Sequence, residues 1–222
     1  MMILYDKKYF NILACCLIFF VSAAIFFSFR AQDESIWFSR WFSDKFYVLI
    51  ICSIYLLGVA IINTYFNYFT FNRIGDRKKY LLCQLADQYL FAFILTNIIF
   101  ICIILGSVLK FNEIRTAILD ILSWYFKYLL GLILVTNLCV LFQKSRINIL
   151  AKFSYLWTFL TISFELIAIV PKLKILYGID IRIAFSWIFY QNAPVSFIVL
   201  SAMNALVIIY LILVDSRRDL FI

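Results

Sequence analysis

Six apolar runs dominate the chain, at residues 12–29, 46–69, 89–109, 118–142, 149–170 and 195–214, with short polar segments between them. Each is close to the roughly 20 residues that an α-helix needs to cross a bilayer's hydrocarbon core. The pattern predicts an all-α polytopic membrane protein: one membrane domain over 1–222 with six transmembrane helices. Residues 1–11 are amphipathic and basic, with Tyr5, Tyr9 and Phe10 suited to the membrane interface. After Lys7 and Lys8 the first run passes to Phe26–Phe27–Ser28–Phe29–Arg30 with no small-residue cleavage site, so the first span is expected to be retained.

The connections differ in character. Residues 30–45 read as a polar outside loop, with Trp37 and Trp41 resting at headgroup level. Residues 70–88 form the densest charged run, holding Arg73, Asp76, Arg77, Lys78 and Lys79 around Gly75. Tyr80, Leu81, Leu82 and Leu85 follow at helical spacing, which predicts a short amphipathic helix. Residues 110–117 and 143–148 are a short outside loop and a tight inside turn. Pro171 ends the fifth span, because proline cannot continue the hydrogen-bond ladder. The stretch 172–194, broken by Gly178 and closed by Pro194, is too charged at its start to cross, and is expected to enter the membrane from outside and return.

Composition sharpens this picture by exclusion. The 222 residues are 66% hydrophobic and only 14% charged, whereas a soluble domain is about half apolar and a quarter charged. The net charge of +8 does not require nucleic acid, because surplus lysine and arginine in a polytopic protein serve topology and anionic lipid. Their clustering at Lys7–Lys8, at Arg73–Lys79, at Lys144, Arg146 and Lys152, and at Arg217–Arg218 places both termini in the cytoplasm. Histidine is absent, which removes histidine metal sites, histidine bases and Ser-His-Asp catalysis. The six cysteines form no CxxC pair, and no Gly-rich phosphate loop occurs, so no metal or nucleotide cofactor is expected on this chain.

Polar groups inside the spans mark candidate sites. Asn63, Asn67 and Tyr68 make the inner end of the second span unusually polar, and are expected to face other helices or a cavity. Lys127 and Glu165 lie at matched depth, roughly 10 Å below the outer surface, on consecutive antiparallel spans. Two readings are open: an intramembrane ion pair, or a lysine snorkelling outward with a glutamate facing an outer vestibule. The basic run also has two readings, a loop that only fixes orientation or the place where a soluble partner pushes on the membrane part.

At that run the chain resembles a known family. Tyr68, Arg73, Ile74, Gly75, Asp76, Arg77, Lys78 and Tyr80 are similar to an Arg-x-Gly-Ser/Asp-Arg/Lys segment with a following aromatic in small permease subunits of bacterial ABC exporters. These are the ABC-2-class, type V exporters, many associated in Gram-positive bacteria with bacteriocins and other amphipathic peptides. The resemblance implies a cytoplasmic coupling helix between spans two and three, with Arg73, Gly75, Asp76, Arg77, Lys78 and Tyr80 docking on an ATP-binding cassette subunit. It also implies a second permease chain, identical or different, and ATP with Mg²⁺ held on the partner rather than here. The location implied is a bacterial plasma membrane and the cargo an exported amphipathic or hydrophobic peptide. A non-transporting immunity or accessory protein of a bacteriocin system would share the size, charge and aromatic content; an intramembrane aspartyl enzyme would need paired mid-span aspartates, which the chain lacks.

Overall fold

The computed structural model describes residues 7–43, 46–65, 77–111, 118–143 and 192–217. Among them the chain is entirely helical: α1 (Lys7–Arg30), α2 (Glu34–Trp41), a π-helical turn (Tyr47–Ile51) leading into α3 (Cys52–Tyr65), α4 (Arg77–Phe111), α5 (Ile118–Gln143) and α6 (Ala193–Arg217). Four of these, α1, α4, α5 and α6, are long and apolar enough to cross a membrane. They coincide with the expected first, third, fourth and sixth spans. Of the expected second span, 46–65 is helical. The expected fifth span and positions 172–191 of the expected re-entrant stretch lie outside the described residues. The chain separates into two compact units, one of residues 1–65 and 86–129, the other of 66–85 and 130–222.

Local chemistry accounts for the helix ends. α1 finishes on Arg30, a cation placed against the partial negative charge of a helix C-terminus. Its last carbonyls are claimed by side chains: Lys110 Nζ donates to the carbonyls of Ser28 and Ala31, and Arg40 Nη2 donates to that of Arg30 at 3.3 Å. Orphan carbonyls at a helix end need such partners. Ser43 starts the next helical segment, its Oγ accepting from the Phe46 N–H at 3.2 Å. Asn192 does the same for α6, with Oδ1 accepting from the Val195 N–H at 3.4 Å. Pro194 sits in that first turn, where its missing N–H costs nothing.

Two expectations are corrected. Residues 34–41 are a helix rather than a polar loop, and Trp37 and Trp41 are fully buried instead of resting among headgroups. The spacing of Trp37, Phe38 and Trp41 puts all three on one face of α2, which turns inward. Trp41 meets Phe27 and Phe46 edge-on at ring distances of 5.3 and 5.2 Å. That burial leaves the indole N–H groups of Trp37 and Trp41 without acceptors, so apolar area carries the cluster against a desolvation cost of about 1–3 kcal/mol per group. The π turn lies beside it: the Cys52 N–H bonds back five residues to the Tyr47 carbonyl. The Tyr47 hydroxyl donates to the carbonyl of Tyr128 at 3.4 Å.

The other correction concerns the basic run. From Arg77 onward it is not a separate short helix, because α4 continues without interruption from Arg77 to Phe111. The residues between Gly75 and Gly106 include no glycine or proline, so nothing in the backbone chemistry marks a boundary at 88–89. Likewise, the basic N-terminal residues from Lys7 are the first turns of α1.

Candidate functional site

The candidate residues fall into three groups. At the basic run, Arg73, Gly75 and Asp76 lie outside the described residues, as do Asn67 and Tyr68. Arg77 and Lys78 are the first residues of α4, Lys79 is exposed and Tyr80 is half-buried. Behind them Leu81 and Leu85 are buried while Leu82 is 58% exposed, so these turns have an inward and an outward face. The 35 residues of α4 extend over about 50 Å, against a hydrocarbon core of about 30 Å. Lys110 stands near one end of this helix, and Arg77, Lys78 and Lys79 open the other.

A polar stripe follows on the same helix. Gln84, Asp87 and Gln88 are all buried, at 8%, 5% and 0% exposure. Their spacing of three and four residues places them on one face. Within the first unit, the Tyr55 hydroxyl donates to the Gln88 carbonyl at 3.2 Å, and the Tyr55 ring stacks on Phe91 at 5.5 Å. Asp87 stands out because a carboxyl group within an apolar helix is costly and rarely incidental. Sequence reasoning counted it as part of an interfacial helix; its place on the Gln84 and Gln88 face was the available signal.

Lys127 is buried at 3% exposure, so outward snorkelling does not describe it. Its Nζ lies 4.9 Å from the centroid of the Trp124 ring, a geometry in which the ring's negative face attracts the ammonium. Trp124 stacks on Phe42 at 4.9 Å and 5°, and Phe42 stacks on Phe38 at 5.7 Å. The neighbouring Tyr128 hydroxyl donates to the Trp41 carbonyl at 2.8 Å, tying α5 to the end of α2. Glu165, the expected ion-pair partner, lies outside the described residues. Asn63 belongs to α3.

A buried amide pair in the second unit escaped sequence reasoning. The Asn137 Nδ2 of α5 donates to the Asn204 Oδ1 of α6 at 2.8 Å. The Asn204 Nδ2 in turn donates to the carbonyls of Leu130 and Leu200 at 3.1 and 2.9 Å. One side chain thus joins two apolar helices through two hydrogen bonds and holds its own helix through a third. Replacing Asn204 by leucine is expected to cost about 1–2 kcal/mol, since the buried Asn137 amide loses this acceptor. The double replacement Asn137→Leu/Asn204→Leu should recover part of that loss, measured by unfolding in mixed detergent micelles. Equal stabilities for the two variants would contradict it.

Among the described residues no group of three His, Cys, Asp or Glu side chains could hold a metal ion, and all six cysteines are free thiols. The chemistry these residues offer is cation–π attraction, amide pairing and an exposed cation in the first turn of α4. No protein-family model matches the chain, and comparisons with curated proteins and with solved structures found no match.

Proposed function

We propose that the chain is the permease subunit of an ABC exporter, passive in itself and driven by a separate ATP-binding cassette subunit that holds ATP and Mg²⁺. In this reading six spans cross a bacterial plasma membrane, with both termini cytoplasmic and 172–194 re-entering from outside. Two permease chains open a path between them for an amphipathic or hydrophobic peptide. Arg73, Gly75, Asp76, Arg77, Lys78 and Tyr80 receive the cassette subunit.

The observation that supports this most is the continuity of α4. Arg77, Lys78, Lys79 and Tyr80 are the head of the same helix that runs to Phe111. In this reading a force applied at the basic end reaches the span along the same helix. A loop that served only to fix orientation would need its charges but not this helical continuity.

The test is capture of the cassette subunit by the full chain in detergent. Arg73→Glu/Arg77→Glu should weaken capture by at least about tenfold, since like charges at a docking surface cost several kcal/mol. Lys144→Glu/Arg146→Glu, which changes as many charges in another inside segment, should leave capture intact. Undiminished capture by the Arg73/Arg77 variant would overturn the permease reading and favour an accessory protein of a bacteriocin system.

A further inference from the structure

We infer that the groove between α1 and α4 binds one acyl chain of an anionic phospholipid, whose phosphate rests on Lys110 at the groove's mouth. The groove encloses about 510 Å³. Its walls are Val21, Ile25 and Ser28 of α1 and Cys102, Leu105 and Lys110 of α4. All belong to the first compact unit. The inference does not depend on the transport reading.

Three observations converge on this occupant. The first is depth. Lys110 Nζ donates to the Ser28 and Ala31 carbonyls, so the C-terminal ends of α1 and α4 lie side by side. Two apolar helices that end together on cations mark one membrane interface. From there the groove descends from Ser28 to Val21, about 10 Å into the apolar layer.

The second is the chemistry along that path. Below its mouth the groove is lined almost wholly by aliphatic and small side chains, with Ile25 and Leu105 more than half exposed. A hydrocarbon chain loses no hydrogen bond on entering such a slot, whereas peptide backbone would leave its polar groups unpaired.

The third is charge. An ammonium has three N–H donors, and Lys110 spends two on the carbonyls of Ser28 and Ala31. The remaining donor can meet a phosphate oxygen. Arg30, Asp33 and Glu34 stand at the end of α1 or beyond it and none lines the groove, so the contact with phosphate falls to Lys110.

Native mass spectrometry of the full chain, transferred from vesicles of phosphatidylglycerol or of phosphatidylcholine, tests this. The wild type should retain one phosphatidylglycerol per chain in preference to phosphatidylcholine. Leu105→Trp fills the groove from its exposed side and leaves Lys110 in place; it should abolish retention. Lys110→Met should reduce the preference for phosphatidylglycerol about fivefold. Should Lys110→Met fail to fold, because Lys110 also caps α1, Leu105→Trp still decides. Undiminished retention by Leu105→Trp, or equal retention of the two lipids by the wild type, would overturn the inference. So would a wild-type dimer that excludes lipid and dissociates in the Leu105→Trp variant, since a second copy would then occupy this face.

Discussion

Replacing Gly58 by valine should cost about 3 kcal/mol of stability, at the upper end of the range for overpacking a filled core. A Cβ at Gly58 would stand 2.2 Å from both Cε1 and Cζ of Phe91. Those ring atoms have little freedom to retreat, because Phe91 is fully buried and stacked on Tyr55 at 14°. Helix propensity works in the other direction: leaving glycine gains a few tenths of a kcal/mol for valine and up to about 1 for alanine. Strain therefore wins clearly with valine, while Gly58→Ala should lose only about 1 kcal/mol net. The control is Phe91→Leu, which removes the ring edge. In that background Gly58→Val should cost less than half as much, read as the shift in heat-induced unfolding of the detergent-solubilised chain. If Gly58→Val and wild type unfold together, α3 and α4 do not pack as described.

That contact illustrates what the amino-acid order discloses and what it withholds. Apolar runs of about 20 residues are legible because the bilayer sets a minimum length, and α1, α5 and α6 follow them closely, whereas α4 starts well before its own. Glycine within a span is visible in the sequence too, but only the structure shows that Gly58 receives Phe91 and Gly106 receives Trp37, whose ring would lie 2.5 Å from a Cβ there. Trp37 and Trp41 misled because tryptophan suits both a headgroup layer and a buried aromatic cluster, and the choice depends on residues far along the chain such as Tyr128. The π turn at Tyr47 has no local signature; its extra residue per turn places a ring 4.6 Å from that of Tyr128. Among the candidate site residues, the place of Lys127 within a span left an ion pair and outward snorkelling equally open. Asn137 and Asn204 each looked like a lone polar residue, and their pairing emerges only when α5 and α6 meet.

The boundary drawn at 88–89 has a different lesson, and it leads to the prediction with the greatest consequence for the proposed mechanism. A change from polar to apolar side chains alters what surrounds a helix without altering its backbone, so α4 crosses that boundary unbroken. If α4 carries force, breaking its hydrogen-bond ladder between the docking end and the span should separate binding from transmission. Ala86 is the place to do so, since its side chain is exposed and its removal disturbs no core contact. Proline there deletes the bond to the Leu82 carbonyl and clashes with it, at about 3 kcal/mol or more for a regular helix.

Ala86→Pro should therefore still capture the cassette subunit, because Arg73 and Arg77 are untouched. The permease-dependent change in ATP hydrolysis by the reconstituted complex should fall on the order of tenfold, equivalent to about 1.4 kcal/mol of coupling free energy. Ala86→Leu, which keeps the ladder, should match the wild type. The pairing with Arg73→Glu/Arg77→Glu matters, because that variant loses capture itself while Ala86→Pro loses only what capture achieves. Hydrolysis in the Ala86→Pro complex that still responds fully to the permease would mean that force reaches the membrane by another route, and that the rod formed by α4 is not the transmission element.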